Sequence, residues 1–195
     1  MIPLEFTPIG ILNAYCNGVF PMYYPEEDAI YWFQPDPRTI IPLDQFHVSR
    51  SLAKTIRQAS FEVRFNTDFL GVMRGCADRE EETWINEDFY AVYGALHENG
   101  FAHSVEVWRE DRLVGGTYGV AIGSAFMAES MFHYETDASK VALAALVEQL
   151  KRQSFALLDT QYLTPHLARF GAVEIPHEEY LARLGKAIRS PVRFI

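Results

Sequence analysis

Cysteine is scarce in this chain of 195 residues, which contains only Cys16 and Cys76. Two isolated cysteines exclude the disulfide frameworks of small secreted domains and the repeated cysteine motifs of zinc sites. No apolar run approaches the roughly 18 residues that a membrane-spanning helix requires. The opening residues also lack the basic and apolar segments of a signal peptide. We therefore expect a cytoplasmic protein whose two thiols are reduced.

Nucleotide-binding and metal-binding motifs are missing as well. Gly115, Gly116 and Gly119 stand in a predicted strand–turn context and do not form the dinucleotide-binding pattern. Glycines in such a place more often indicate that two backbones approach each other closely. His97 and His103 lack the spacing of metal ligands. The sequence therefore predicts neither a dinucleotide site nor a metal site.

Apolar residues make up 49% of the chain, which is enough for one domain with a sizeable core. The formal net charge of −9 argues against nonspecific attraction to nucleic acid. The positive charge is concentrated, however, and Arg50, Lys54 and Arg57 recur at the spacing of one helix face. This spacing predicts either a solvated helix surface or a small patch that contacts phosphates.

Proline separates two regions, because seven of the ten prolines lie in the first sixty residues. We predict a small, irregular N-terminal subdomain over residues 1–60 and a second domain over residues 61–195. Asp137 is expected to cap a long helix that ends near Gln153. The second domain reads as strand, two helices, three or four antiparallel strands, helix, strand, helix, strand and a final helix.

This order predicts an α+β fold with a mixed, mainly antiparallel sheet that is flanked by helices on both faces. It is also the element order of the GCN5-related N-acyltransferase fold, so the second domain is expected to be N-acyltransferase-like. Order alone is a weak signal of fold and carries no function.

Polar residues interrupt the apolar pattern of two predicted strands. Glu129 lies in one strand, and Asp159 and Gln161 lie at the end of the next. Side chains two positions apart on a strand point to the same face. Burying unpaired polar groups is costly, so a polar cluster in apolar surroundings is where chemistry tends to occur. The alternative is a turn residue at a strand end and an acid on the surface.

Several separated strings resemble the leucyl/phenylalanyl-tRNA–protein transferase family. They cover residues 18–25, 32–38, 75–79, 83–85, 113–120, 129–132 and 159–161. The resemblance extends from about Gly10 to Ile175. It implies transfer of Leu or Phe from aminoacyl-tRNA to the α-amine of proteins that begin with Arg or Lys. In that family the transfer marks the acceptor for degradation through the N-degron pathway.

The resemblance also implies roles for the polar cluster. Gln161 would hold the acceptor amine or the ester carbonyl, Asp159 would orient Gln161, and Glu129 would bind the positive charge of the acceptor. No cofactor, metal or covalent nucleophile is expected, because an aminoacyl ester is already activated. The site has to position the amine and stabilise the oxyanion.

Two further features of the family map onto this chain. The expected apolar pocket for the Leu or Phe side chain comprises Phe126, Met131, Leu143, Leu146, Leu150 and Leu158. The alternative is that these six residues belong to the ordinary hydrophobic core.

Trp84 matches a family tryptophan that can stack on the terminal adenosine. The family's Phe-Pro-Trp reads Phe20-Pro21-Met22 here, which leaves Tyr23 as the neighbouring candidate. From their charge and spacing, Arg50, Lys54 and Arg57 are the best candidates for phosphate contacts, and a small patch would suit a protein that reads only the 3′ end and acceptor stem of a tRNA.

Two alternatives remain at this stage. An acyl-CoA-dependent N-acyltransferase of the same fold would need a pyrophosphate site before the long helix, but residues 133–137 hold two acids and no glycine. A nonenzymatic binder of basic N-termini could use Asp159 and Glu129 alone.

Overall fold

The computed structural model describes residues 5–78 and 83–195. The α-helices are α1 (Pro8–Cys16), α2 (Arg50–Arg57), α3 (Phe69–Ala77), α4 (Glu87–Glu98), α5 (Ala138–Arg152), α6 (Pro165–Ala168) and α7 (His177–Ala187). The strands are β1 (Phe20–Tyr24), β2 (Ala29–Phe33), β3 (Arg38–Ile40), β4 (Glu62–Phe65), β5 (Ala102–Arg109), β6 (Arg112–Ile122), β7 (Ala125–His133), β8 (Leu157–Gln161) and β9 (Val173–Ile175). Two short 3-10 helices span Pro25–Glu27 and Leu43–Gln45.

One seven-stranded sheet organises the molecule, in the order β4-β5-β6-β7-β8-β3-β9. All of its pairs are antiparallel except β7 and β8, which run parallel and are connected through α5. The predicted mixed, mainly antiparallel α+β sheet is therefore confirmed. From β4 to β9 the elements also follow the predicted N-acyltransferase-like order.

Helices cover both faces of this sheet, as predicted. On one face, buried residues of α1, α3, α4 and α7 form a core with the sheet. On the other face, α5 supplies a buried stripe that includes Leu143, Leu146 and Leu150, and α2 contributes Leu52. The N–H and C=O groups of the sheet are thus shielded from solvent between two apolar layers.

The N-terminal region contains more regular structure than the sequence predicts. β1 and β2 form an antiparallel hairpin in which Phe20 pairs with Phe33. β3 joins the large sheet between β8 and β9, so the first sixty residues contribute a strand to the main core. The sequence pattern does not predict this hairpin because Pro21 and Pro25 lie in or next to β1, and proline is depleted in strands. The division at residue 60 stays a prediction.

Two local expectations are wrong. Asp137 occupies the N-cap position of α5, but its backbone is left-handed with φ 69° and its side chain makes no capping bond. Instead it accepts hydrogen bonds from Lys140 Nζ at 2.6 Å and Thr55 Oγ1 at 3.4 Å. Gly115, Gly116 and Gly119 lie inside β6 and not at a strand–turn junction.

Within residues 5–78 and 83–195, none of the helices combines the length and the apolar character needed to cross a membrane. The same residues contain no group of three or more His, Cys, Asp or Glu side chains that could hold a metal ion.

Close packing at Gly119 yields a test of the sheet. A Cβ atom there would lie 2.3 Å from the carbonyl oxygen of Met127 and 2.5 Å from the ring of Phe126. We expect Gly119→Ala to lower the free energy of unfolding by about 1–3 kcal/mol, because the backbone of β7 must move. Urea denaturation measures this change.

Gly94→Ala is the matched control, since Gly94 lies in α4 and a Cβ there would meet only Leu70 at 3.7 Å. Alanine is the better helix former, so this variant should gain up to about 1 kcal/mol. Equal losses in both variants would contradict the packing at Gly119.

Candidate active site

A cleft of about 390 Å³ opens beside the junction of β7 and β8. The two strands are in register from Ala125 and Leu157 to Met127 and Asp159, where their pairing ends. Beyond that point the strands part and leave room for side chains between them. The lining includes Trp84, Glu129, Met131, Leu143, Gln161 and His166. Its size is that of a small-molecule site.

A β-bulge places Glu129 at this cleft. In the pairing of β6 with β7, Tyr118 lies opposite Ser130 and Gly119 lies opposite Ala128, so Glu129 has no partner in the register. An extra residue of this kind bends the strand and re-aims its side chain. The bulge therefore turns an acidic side chain toward the opening between the strands.

Three donors surround the carboxylate of Glu129. Tyr15 donates its hydroxyl hydrogen bond to Oε1 at 2.5 Å, and Tyr93 lies 3.4 Å from Oε2. The two tyrosine hydroxyls are themselves 2.7 Å apart. Gln161 completes the set with its side-chain Nε2 at 3.3 Å from Oε1. Tyr15 and Tyr93 are buried, so they form the closed side of the site.

Burial raises the pKa of Glu129 to about 7, and the nearby Asp159 adds to the rise while the hydrogen bond from Tyr15 opposes it. Burial also raises the pKa values of Tyr15 and Tyr93 well above their ordinary value, so both stay protonated donors. A carboxyl group with a pKa near 7 can both take up and release a proton under cellular conditions.

Gln161 reaches the cleft through an unusual backbone conformation. Its φ is 64°, in the left-handed region, and its backbone N–H donates to Asp159 Oδ1 at 2.9 Å. This bond holds the strand end in place while the side chain of Gln161 extends toward Glu129. The two members of the Asp-x-Gln pair thus have different surroundings: Gln161 lines the cleft, and Asp159 is fully buried behind it.

Arg38 neutralises the buried Asp159. Its Nε lies 2.9 Å from Oδ1 and its Nη2 lies 2.6 Å from Oδ2, and both side chains are fully buried. Tyr180 donates to Oδ2 at 2.8 Å. Arg38 Nη1 donates to the carbonyl oxygen of Gly18 at 3.1 Å. The carboxylate and the guanidinium therefore both have several partners, which a buried ion pair requires.

The predicted apolar residues fall into two groups. Met131 and Leu143 line the cleft and form its apolar wall. The other four do not line the cleft and lie in the core between the sheet and α5: Phe126, Leu146, Leu150 and Leu158. Contact of these four with a substrate stays a prediction.

The predicted tRNA-binding residues lie in two places. Trp84 borders the cleft and also a neighbouring depression that Met22 and Tyr23 line. The hydroxyl of Tyr23 donates to Asp28 at 2.9 Å. The second place is the exposed surface of α2, which carries Arg50, Lys54 and Arg57.

Sequence reasoning missed four residues of the site. Arg38 had a signal, because a carboxylate inside the apolar string Leu157-Leu158-Asp159 needs a buried cation as its partner. Tyr15, Tyr93 and Tyr180 had none, since a tyrosine on an apolar helix face reads as ordinary core.

Models of one protein family match nearly the whole chain. A family model described as leucyl/phenylalanyl-tRNA protein transferase matches residues 40–185, and the model of that family's N-terminal domain matches residues 5–36. A leucyl/phenylalanyl-tRNA–protein transferase from Herpetosiphon aurantiacus is 51% identical over 191 residues, which are 97% of this chain and 98% of that protein.

Proteins with the same name from two other bacteria are as similar. The one from Cereibacter sphaeroides is 51% identical over 100% of this chain and 91% of its own length. The one from a Ruegeria species is 52% identical over 95% of this chain and 88% of its own length.

Two solved structures resemble the chain distantly. A ribosomal-protein-alanine N-acetyltransferase from Brucella melitensis is 14% identical with a TM-score of 0.38, over 49% of this chain and 76% of that one. The L-PGS protein from Bacillus licheniformis is 14% identical with a TM-score of 0.46, over 83% and 62%.

The raised pKa of Glu129 predicts a pH-dependent stability. Between pH 4.5 and about 7 the folded state holds a proton that the unfolded state has lost, so the free energy of unfolding falls as pH rises through this window. Glu129→Gln replaces the titrating carboxyl group with an amide that does not titrate. Its stability relative to the wild type should therefore rise by about 1–3 kcal/mol across the window and level off above it.

Urea denaturation at several pH values measures the difference. Glu148→Gln, at a carboxylate that is 71% exposed on α5, is the matched control. A relative stability of Glu129→Gln that does not change with pH would contradict the raised pKa.

Proposed function

This chain belongs to the leucyl/phenylalanyl-tRNA–protein transferase family, and from that premise we propose how its cleft performs the transfer. The protein is an aminoacyltransferase that moves Leu or Phe from aminoacyl-tRNA to the α-amine of proteins that begin with Arg or Lys, in the N-degron pathway. The observation that carries the proposal is the contact of Glu129 with Gln161 in the wall of a mainly apolar cleft. We place the reaction in the cytoplasm.

The reaction needs positioning more than activation. The acceptor nitrogen attacks the ester carbonyl, a carbon–nitrogen bond forms, and the bond from the carbonyl carbon to the ribose 3′ oxygen breaks. A charged N-terminus first gives up one proton and so becomes a neutral amine. After attack the nitrogen loses a second proton and the 3′ oxygen gains one, so the exchange balances without an added reactant once the first proton passes to solvent. The site must hold two substrates together and stabilise the oxyanion that forms between them.

Gln161 is suited to the oxyanion or the amine, because its amide reaches the cleft and its backbone is held by Asp159. Glu129 is suited to the proton. With a pKa of about 7 it lies close to the ordinary range of a protein's α-amine, which is about 7.7–8.0. Its carboxylate can therefore attract the charged N-terminus and then accept a proton from it.

Asp159 acts through Gln161 and not on the substrate. It is fully buried, and its contacts are Arg38, Tyr180 and the backbone of Gln161. We assign Asp159 a positioning role: it fixes the left-handed backbone that turns Gln161 into the cleft.

The remaining walls fit the aminoacyl-tRNA end. Met131 and Leu143 present an apolar surface for a Leu or Phe side chain, and methionine adapts to side chains of different shape. Trp84 can stack on the terminal adenosine, with Tyr23 beside it across the neighbouring depression. Arg50, Lys54 and Arg57 on α2 are the proposed contacts with acceptor-stem phosphates.

The approach to α5 disfavours an acyl-CoA donor. Acyl-CoA enzymes of this fold bind the pyrophosphate at the start of the equivalent helix. Here Glu135 lies before α5 and is paired with Arg109 at 2.8 Å, and Asp137 occupies the N-cap position. Residues 133–137 also contain no glycine, so the segment lacks the loop that would let backbone N–H groups bind a pyrophosphate. A nonenzymatic binder of basic N-termini would use Glu129 but would leave the apolar wall and Trp84 without a purpose.

Incubation with labelled Phe-tRNA and a peptide that begins with Arg tests the function. We expect the label to move to the peptide's α-amine, and a peptide with an acetylated N-terminus should stay unlabelled. Label that moves only from a labelled acyl-CoA would favour the acyl-CoA enzyme. Peptide binding without any transfer would favour the binder.

Gln161→Ala tests the assigned role within the same assay. Loss of a group that stabilises an oxyanion typically lowers kcat by about 100-fold or more. The Kd of the Arg-peptide, measured by calorimetry, should change less than about twofold. Gln153→Ala, at the far end of α5, is the matched control. An equal loss of transfer and of peptide binding would contradict the role.

Met22→Trp tests the adenosine platform. Met22 borders the same depression as Trp84, at the position where the family has tryptophan. A stacked base is worth about 1–3 kcal/mol, so the variant should bind tRNA about tenfold more tightly. Fluorescence titration with Phe-tRNA measures the affinity. An unchanged Kd would mean that residue 22 does not face the adenosine.

A further inference from the structure

A second cavity, of about 270 Å³, adjoins the cleft. Its polar lining consists of His47, Ser49, Ser51, Lys140, His166 and Arg169. We call this the basic cavity. His166 lines both openings, so the two spaces share a wall.

The lining is cationic in a chain whose net charge is −9. None of the lining residues is acidic. Lys140 pairs with Asp137 at 2.6 Å, and Asp137 lies outside the lining. Arg169 forms no ion pair with any residue that the structure describes. Arg169 therefore adds a positive charge to the basic cavity that no acidic side chain among the described residues pairs with.

His166 shows that these charges are close together. Its pKa is lowered by burial and then by Lys140, His133 and Arg169. Its Nε2 atom is buried and has no hydrogen-bond partner among the described residues. A buried nitrogen without a partner is costly, and an anion that accepts a hydrogen bond would satisfy it.

We propose that the basic cavity binds a backbone phosphate of the aminoacyl-tRNA 3′ strand and so aligns the ester with Glu129 and Gln161. This inference rests on the proposed function. The donor is a polyanion whose terminal nucleotide enters the cleft, and the shared wall at His166 puts the next phosphates within reach. Phosphate contacts of this kind fix register and orientation.

The neighbouring helix supports the same path. Ser49 caps α2 and lies 3.0 Å from Ser51 through their hydroxyl oxygens, and both border the basic cavity. The face with Arg50, Lys54 and Arg57 begins at this point. The 3′ end of a tRNA that leaves the cleft past His166 would thus meet the basic cavity first and the α2 surface afterwards.

The double variant Lys140→Gln/Arg169→Gln tests this inference with two donors. Phe-tRNA carries the phosphates, whereas 3′-O-phenylalanyl-adenosine carries none. His166 stays intact because it also lines the cleft. We expect kcat/KM with Phe-tRNA to fall about tenfold or more, since hydrogen bonds to charged groups are lost. With phenylalanyl-adenosine it should fall at most twofold.

Salt dependence is a second readout of the same variant. The slope of log(kcat/KM) against log[salt] for Phe-tRNA should become shallower by about one. Arg112→Gln/Lys151→Gln is the matched control, because it removes two exposed positive charges outside both openings. The control should retain the wild-type preference for Phe-tRNA over phenylalanyl-adenosine.

Equal losses with both donors, or no loss with Phe-tRNA, would overturn the inference while leaving the proposed function intact. Failure of the wild type to use either donor would instead overturn the proposed function. Titration of wild-type His166 by NMR gives a measurement that needs no variant. Inorganic phosphate should raise its pKa, and an unchanged pKa at saturating phosphate would also count against the basic cavity.

Discussion

The buried ion pair between Arg38 and Asp159 connects parts of the chain that are far apart in sequence. Arg38 lies on β3, Asp159 on β8 and Tyr180 on α7, and the guanidinium also bonds the carbonyl oxygen of Gly18. The rings of Phe20 and Tyr180 each lie 4.7 Å from the guanidinium carbon. Removing one partner of such a pair leaves an uncompensated buried charge, which costs about 3–5 kcal/mol. The N-terminal segment is therefore tied to the strand that carries the site.

The geometry of the cleft follows from this anchor and from one irregularity in the sheet. Asp159 is the last residue of β8 that pairs with β7, and it holds the left-handed backbone of Gln161. On β7 the bulge at Glu129 moves the other polar side chain out of register. The two groups meet at 3.3 Å because one strand end is held by a buried carboxylate and its neighbour is bulged. Positive φ at a residue other than glycine carries strain that surrounding contacts must offset.

The sequence predicts the elements of this site better than their arrangement. The order of helices and strands, and the choice of Glu129, Asp159 and Gln161 as unusual polar residues, follow from local periodicity and the cost of burial. The bulge, the left-handed Gln161 and the separate surroundings of Asp159 depend on pairing between distant segments. The same is true of Tyr15 and Tyr93, whose hydroxyls matter only because Glu129 lies beside them. Periodicity also cannot tell a cleft wall such as Met131 from a core residue such as Leu158, since both are apolar and occur on strands.

The two proposed substrates differ in charge, and so do the cleft and the basic cavity beside it. In the proposed reaction the acceptor brings a positive N-terminus to the carboxylate of Glu129, and burial raises the pKa of this group to about 7, close to that of an α-amine. The donor brings phosphates, and on the proposed path they meet His166, Arg169 and Lys140. Fixed charges in a partly buried site act without the reorganisation that water would require. On this proposal a net charge of −9 on the whole chain is no obstacle to a tRNA substrate, because the phosphates would meet the few cations near the path of the 3′ end.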